Sequence, residues 1–326
     1  MFDKILIPVN DSSGSQRAAH IGLEFAKRLG ARVVLTNALI DFSTEDEGNR
    51  SLAPSSDLAQ TLGVQFEKRF SEGRKTSVAD GILETCQETV CDLIIMGTHG
   101  REGIEQLLLG SVAESVSRKA NVPVMLICDP QDSKLGTQNP PRFERILVAI
   151  DGSLQSQQAL TTANNLGAKL GASLEVLHVI PDIPLMAGYT GFEFAPMIDY
   201  DPYEKDLEAQ SKAIIAGALK QLETLAITVG EVRSSSVPAK GSRLGDVIVQ
   251  TASEHNADLI VIGTHGRSGL DRLLLGSVAQ WVAHRSQTPV LLVRTPETSV
   301  KAAVGSSAEL GQTSSDNIIS QNPLPA

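Results

Sequence analysis

Two segments of the chain share a glycine pattern that suits the binding of a phosphate group. Each has the form G-x-x-G-x9-G-S, and the shared positions are Gly97, Gly100, Gly110 and Ser111 in the first segment and Gly263, Gly266, Gly276 and Ser277 in the second. A strand-to-helix turn presents backbone N–H groups and the positive end of the helix dipole, and glycine lets a phosphate approach the backbone closely. An apolar run precedes each segment and a helical period follows it, so the segments predict two phosphate-binding turns.

The same segments also fit a purely structural interpretation. Ser111 with Glu114, and Ser277 with Gln280, have the spacing of capping boxes, in which side chains satisfy the first backbone N–H groups of a helix. One segment alone would support a capped turn and a phosphate site about equally. Because both glycine pairs and the Gly-Ser step occur twice, we favour the phosphate site.

A polar step follows the first strand of each half. It is Asn10-Asp11 after Val9 and Asp151-Gly152 after Ile150, and it replaces the GxGxxG fingerprint of dinucleotide-binding folds. The GxxxxGK[ST] phosphate loop is absent as well. A carboxylate at this point could accept hydrogen bonds from a ribose, or it could cap the next helix. These two interpretations stay open.

Other reactive side chains have weaker support. His99 and His265, each with an arginine two residues later, could contact phosphate, but we favour polar loop residues that order the turn. A triad of Ser153, His265 and Asp151 has no supporting spacing, so no catalytic residue is assigned. Cys86 and Cys91 are expected to be buried apolar residues, and no metal site is predicted.

The chain repeats itself, and the repeat defines its organisation. Residues 97–116 and 263–282 are identical at fourteen of twenty positions, and 4–9 resembles 145–150. The second copy carries about 25 more residues in its middle. The predicted organisation is a first domain at 1–128, a proline-containing linker at 129–142, a second domain at 143–295 and a disordered tail at 296–326.

Each copy alternates apolar strands with helical periods, which indicates an α/β fold with a doubly wound parallel sheet. The predicted strands are 5–9, 33–39, 64–70, 93–96 and 124–127 in copy one, and 146–150, 174–180, 227–233, 259–262 and 290–293 in copy two. The predicted helices include 15–29 and 78–90, matched by 156–170 and 244–255. The second crossovers differ, because copy two has a long amphipathic stretch at 203–225 and copy one only a short, polar one at 57–62.

Composition excludes several classes of function. A net charge of −10 argues against binding nucleic acid over a broad surface, and 4% aromatic residues are too few for base-stacking platforms. No apolar run approaches the length of a membrane span. The chain enters its first strand without a signal-peptide layout and has only three cysteines, so a reducing cytoplasm is expected.

These residues resemble the universal stress protein family, over about 2–128 and 143–294. The most specific element is G-x-x-G-x9-G-[ST] after a buried strand, present twice, so the chain looks like a tandem member. The resemblance implies a five-stranded, Rossmann-like parallel sheet in each copy. It also implies pairing of the two copies through their last strands, within the chain or between chains as a homodimer.

The resemblance further implies ATP as the ligand, alone or with Mg²⁺. The glycines and serines of both segments would surround the phosphates, with added backbone donors from Val112 and Val278. Asp151 would lie near the ribose, and strand ends near Ala38 and Val179 would meet the adenine. Asn10 stands in copy one where copy two has Asp151, so copy one is expected to bind more weakly.

The function implied is that of an ATP-binding regulator or sensor in a stress response, with a protein partner that the sequence does not identify. Two alternatives remain open at this point. One is a slow ATP hydrolase that uses the same pocket, and the other is an interaction scaffold without nucleotide.

Overall fold

The structure is a computed structural model of the chain. It describes residues 1–39, 45–72, 77–98, 109–128, 141–181, 201–225, 229, 231–264 and 275–294. Residues Met1–Arg294 belong to one compact unit that contains both copies of the repeat. Most of the predicted linker and the predicted tail lie outside the described residues.

Strands and helices alternate along both copies. Copy one contains β1 (Lys4–Pro8), α1 (Ser13–Leu29), β2 (Arg32–Leu39), α2 (Glu45–Leu62), β3 (Phe66–Glu72), α3 (Val78–Glu88), β4 (Leu93–Gly97), α4 (Ser111–Lys119) and β5 (Val124–Ile127). Copy two contains β6 (Arg145–Ile150), α5 (Leu154–Leu170), β7 (Ser173–Ile180), α6 (Asp201–Thr224), β8 (Val232–Pro238), α7 (Leu244–Glu254), β9 (Leu259–Gly263), α8 (Ser277–Arg285) and β10 (Val290–Val293).

All ten strands form one sheet in the order β3-β2-β1-β4-β5-β10-β9-β6-β7-β8. Each half is parallel, and the halves meet through the antiparallel pair β5–β10, in which Leu291 lies opposite Met125. The predicted fold class, two doubly wound five-stranded halves, is confirmed. The last strands of the two copies pair within one chain.

Buried strands and capped helices explain why the sequence adopts this fold. The strands near the centre of the sheet are almost entirely apolar and buried, with helices on both faces. The first helix of each copy starts at a serine N-cap, Ser12 or Ser153, and ends at a left-handed glycine, Gly30 or Gly171. These caps fix both ends of the helix that packs beside the candidate site.

The second crossover of copy one corrects the sequence analysis. A short helical stretch at 57–62 was expected, but α2 runs over eighteen residues and contains Pro54. Leu52 and Ala59 are fully buried, and the serines at 51, 55 and 56 are buried beside them. Because small polar residues fill much of the buried face, the apolar period that signals a helix was too weak to extend the prediction.

The third strand of each copy lies further along the chain than expected. These strands were predicted at 64–70 and 227–233 and lie at Phe66–Glu72 and Val232–Pro238. Both are edge strands of the sheet. One side of an edge strand is open to solvent, so its residues carry little of the apolar pattern on which the prediction depended.

Candidate functional site

The end of each glycine segment lies directly against the end of a strand. The N–H of Gly276 donates to the carbonyl of Thr264, the residue after β9, at 2.7 Å. In copy one the N–H of Gly110 donates to Thr98 at the same distance. These bonds bring the N-terminus of α8 or α4 to the carboxyl end of the sheet. Gly100, Gly266 and the neighbouring His-Gly-Arg residues lie outside the described residues.

The capping boxes predicted at Ser111 and Ser277 are wrong. Gly110 and Gly276 are the N-cap residues, and within the described residues no side chain caps α4 or α8. Ser277 is instead the first helical residue and is exposed. By contrast, α1, α3 and α5 each have a serine N-cap whose hydroxyl accepts from the third helical amide. In the described part of the chain, neither helix at the glycine segments has this cap, and α7, with Arg243 at its N-cap, also lacks it.

Packing explains the first glycine of each segment. A Cβ on Gly263 would lie 3.0 Å from the carbonyl atoms of Gln155, and one on Gly97 would lie 2.9 Å from the carbonyl oxygen of Gly14. Real Cβ atoms do not approach backbone so closely, so only glycine lets β9 and β4 end against the first turn of α5 and α1. These glycines shape the site by bringing a second helix N-terminus to it.

Asp151 and Asn10 occupy equivalent positions, and each accepts hydrogen bonds from the serine two residues later. Oδ1 of Asp151 accepts from the backbone N–H of Ser153 at 3.0 Å and from its hydroxyl at 2.6 Å. Oδ1 of Asn10 accepts from the backbone and hydroxyl of Ser12 at 2.9 and 2.7 Å. Both side chains are half-buried. The remaining difference is chemical, since the second terminal atom is an oxygen in Asp151 and an amide nitrogen in Asn10.

Sheet order brings the predicted site residues to one edge. In copy two, β6 lies between β9 and β7, so Asp151, Gly263 and Val179 end neighbouring strands. In copy one, β1 lies between β4 and β2, which places Asn10, Gly97 and Ala38 in the same arrangement. Helices of opposite faces start at this point, α5 and α8 in copy two. This is the crevice where open α/β sheets bind ligands.

Copy one has a contact at this edge that the sequence did not indicate. The hydroxyl of Ser51, on α2, donates to Asp11. Gln16 of α1 donates to the backbone oxygens of Asn10 and Ser51 at 2.9 and 3.1 Å. The strand–helix turn of copy one is thus tied to α2. This contact was missed because α2 itself was underestimated.

A family model for universal stress proteins matches residues 1–127 and 142–294. The chain belongs to the universal stress protein family. Universal stress protein Rv2005c of Mycobacterium tuberculosis is 29% identical over 257 residues, which is 77% of this chain and 78% of that protein. Universal stress protein YxiE of Bacillus subtilis is 31% identical over 47% of this chain and 99% of its own length.

Solved structures support the fold of this universal stress protein. The crystal structure of a universal stress protein from Archaeoglobus fulgidus is similar with a TM-score of 0.60 and 22% identity. The similarity covers 90% of this chain and 99% of that one. Because two copies match the family, the tandem arrangement inferred from the repeat is confirmed.

The described residues were also considered as metal ligands and as membrane-spanning helices. Among those residues, no group of three histidine, cysteine or carboxylate side chains is placed to hold a metal ion. In the same part of the chain, no helix combines the length and apolar character needed to cross a bilayer. Cys86 and Cys91 are buried as predicted, and burial raises the pKa of the Cys86 thiol to about 12.

Proposed function

We propose that this chain binds an adenine nucleotide, ATP in the first instance, at the carboxyl edge of each half of the sheet. One observation carries the proposal. Among the described residues, α8 and α4 start at the strand edge behind a glycine and without a side-chain cap, whereas α1, α3 and α5 are capped by serine. Such an N-terminus presents backbone donors and partial positive charge to an anion.

The residues would divide the nucleotide between them. The amides after Gly276, at Ser277 and Val278, would hold phosphate oxygens. Asp151 follows β6, which lies between β7 and β9, and its carboxylate would accept hydrogen bonds from the ribose. Adenine would lie against the backbone at the end of β7. In copy one the corresponding positions are Gly110, Ser111, Val112, Asn10 and Ala38.

The biological role proposed is that of a stress-response regulator whose two domains, 1–128 and 143–295, each carry one such site. Occupied and empty sites would differ in conformation, and a protein partner would respond to that difference. Mg²⁺ would accompany the nucleotide through its phosphates, since this is how it binds with few protein ligands.

Substitution of the N-cap glycine tests the phosphate contact. Gly276→Val places a branched side chain beside the amides of α8, so we expect calorimetric titration with ATP to show at least a roughly tenfold loss of affinity in copy two, about 1.4 kcal/mol. Gly217→Val is the matched control, because a Cβ at Gly217 meets nothing within 4 Å. Unchanged affinity in folded Gly276→Val would reject the phosphate contact, and absence of any ATP binding by the native chain would reject the function.

A further inference from the structure

A chain of three hydrogen-bonding side chains runs from the core of copy two to its surface. His178, on β7, is 6% exposed, and its Nδ1 lies 2.7 Å from the hydroxyl oxygen of Ser211 on α6. Ser211 is 1% exposed, and its oxygen lies 2.8 Å from that of Ser236 on β8. Ser236 is exposed. A buried histidine is therefore linked to a surface hydroxyl through a buried serine.

The fold alone does not require this chain of contacts. The position of His178 in copy one is occupied by Asn37, whose amide donates to the carbonyl of Val9 at 2.9 Å. Asn37 lies beside Phe70 in the sheet, whereas His178 lies beside Ser236. Copy one thus builds the same strands with an aromatic residue where copy two places a hydroxyl. The hydroxyl needs an explanation specific to copy two.

Ser236 lies in a cleft of about 550 Å³ between the first half of α6 and the ends of β7 and β8. Ile180, Leu207 and Pro238 give the cleft an apolar part. The lining found within the described residues contains neither Asp151 nor Gly276. The cleft adjoins the end of β7 at Ile180, but within the described residues its lining includes none of the residues assigned to the nucleotide.

The charged side chains of the cleft are ordered along α6. Glu204, Glu208 and Lys212 line it at intervals of four residues, so they follow one face of the helix. Lys212 directly follows Ser211 and lies at the level of the hydroxyl chain, and Lys240 lines the cleft from the other side. Four residues of helix advance about 6 Å. One end of the cleft thus offers ammonium groups and a hydroxyl, and a carboxylate lies about 6 Å further along.

We propose that this cleft is a second ligand site, and that it takes a zwitterion of dipeptide size with an apolar side chain. The ligand's carboxylate would bind Lys212, Lys240 and the Ser236 hydroxyl, and its ammonium would bind Glu208 or Glu204. A dipeptide spans about 7 Å, which matches the separation of the two ends. A single amino acid holds its two charges too close together to reach both.

The Ser211–His178 pair has a positioning role in this site. With Nδ1–H of His178 donating to Ser211, and Ser211 donating to Ser236, the outer hydroxyl is left to donate into the cleft. A polarised chain of this kind strengthens the outermost bond to an anion. Neither His178 nor Ser211 touches the ligand.

Titration of the full chain with L-leucyl-L-leucine tests the proposal. We expect saturable binding with a Kd at or below about 1 mM. N-acetyl-leucyl-leucine lacks the ammonium, leucyl-leucinamide lacks the carboxylate and leucine lacks the separation, so each should bind at least about tenfold more weakly. No saturable binding of leucyl-leucine, or equal binding of all four compounds, would overturn the proposal.

Substitutions of exposed residues that line the cleft locate the binding site. A substitution of buried His178 tests its positioning role. Ser236→Ala and Lys212→Ala should each weaken leucyl-leucine binding severalfold, while Ser234→Ala, on the same strand but not lining the cleft, should leave it unchanged. His178→Asn, which introduces the residue of copy one, should weaken it with the loss confined to ligands that carry a carboxylate. Binding that survives both Ser236→Ala and Lys212→Ala would place the ligand elsewhere and overturn the site.

Discussion

At the carboxyl end of β1 the turn is held by the amide oxygen of Asn10, and at the end of β6 by a carboxylate oxygen of Asp151. Both accept from the backbone and hydroxyl of the serine two residues later, at closely similar distances. A neutral acceptor is therefore sufficient for the turn. The comparison teaches that the charge of Asp151 is not needed to hold the serine two residues later.

The two halves also differ in what covers this edge. In copy one, Ser51 of α2 contacts Asp11, and Gln16 reaches both Asn10 and Ser51. In copy two, the equivalent of Gln16 is Gln157, whose backbone oxygen accepts from Gln221 near the far end of α6. In copy one, α2 therefore contacts the strand–helix turn itself, whereas in copy two α6 contacts α5 at Gln157 and Thr161.

The exchange of Asp151 and Asn10 is the most direct way to break the comparison. Asp151→Ala should weaken ATP binding by copy two roughly tenfold or more, since a hydrogen bond to a charged group contributes about 1.5–3 kcal/mol and a neutral one about 1. Asn10→Asp should strengthen copy one by a similar factor. Calorimetry measures both sites together.

The single tryptophan of the chain allows copy two to be followed alone. Trp281 lies one turn after Ser277 on α8 and donates to Asp246 at 2.7 Å. Its fluorescence should change with occupancy of copy two and should not respond to Asn10→Asp. A native titration that fits two identical sites, or an Asp151→Ala chain with native affinity, would contradict the assigned difference.

Gly97 and Gly263 are expected to have the same packing role in the two halves, and alanine substitutions test this. Gly97→Ala and Gly263→Ala should each lower the free energy of unfolding by about 1–3 kcal/mol, because the new Cβ would meet backbone of α1 or α5. Urea denaturation measures the effect. Gly217→Ala, in an open helical position, should instead stabilise by about 1 kcal/mol. Equal effects at all three positions would argue against the packing explanation.

The turn before the fourth strand of each copy sharpens the comparison further. Val90 has a φ of 53° and is 80% exposed, whereas Asn256, with a φ of 52°, occupies the same turn in copy two. A β-branched residue is strained in this left-handed conformation, and asparagine tolerates it. Val90→Asn should therefore raise the free energy of unfolding by about 1 kcal/mol. Thermal unfolding checks this, and Asn256→Val should shift the melting temperature in the opposite direction.

The smallest expected effect concerns acid stability at the edge of copy one. Nζ of Lys4 forms an ion pair with Oε1 of Glu67 at 2.8 Å, and the interaction with Lys4 lowers the pKa of that carboxyl. Copy two has Arg233 at the equivalent position, paired with Glu231. A lowered pKa stabilises the fold above the ordinary glutamate pKa, and the contribution is lost as pH falls through the lowered value.

Glu67→Gln should therefore cost stability near pH 7 and progressively less below about pH 4. Urea denaturation at several pH values gives the difference between native and variant chains. Arg233→Gln in copy two is the control, and it should not reproduce this pH dependence. A gap between Glu67→Gln and the native chain that stays constant down to about pH 3 would contradict the assignment.

Much of the fold could be predicted because its signals are local and strong. Buried strands such as Leu93–Gly97 and Leu259–Gly263 are unbroken apolar runs. Because the sequence is duplicated, the elements predicted in one half can be compared with those in the other. The prediction was wrong at α2, where serines replace apolar residues on the buried face, and it placed the two edge strands too early in the chain. Both errors come from elements whose contacts, not their patterns, determine their structure.

The sequence names candidate residues for the site but does not give their geometry. The glycine spacing identified Gly110 and Gly276, yet only the fold shows that they are N-cap residues without a capping side chain. The spacing of Ser111 and Glu114 fits a capping box equally well when the helix start is unknown by one residue. The packing role of Gly97 and Gly263 depends on a helix nearly a hundred residues away, which no local pattern reports.

The antiparallel pairing of β5 with β10 makes the two halves point in opposite directions, so their carboxyl edges open at opposite ends of the sheet. A symmetric pair of identical subunits joined in the same way would have to carry every substitution twice. Covalent fusion removes that constraint, because a change such as asparagine for aspartate can appear at one end and not at the other. A chain with two diverged copies can therefore have different properties at the two ends of its sheet. A symmetric assembly of identical subunits cannot.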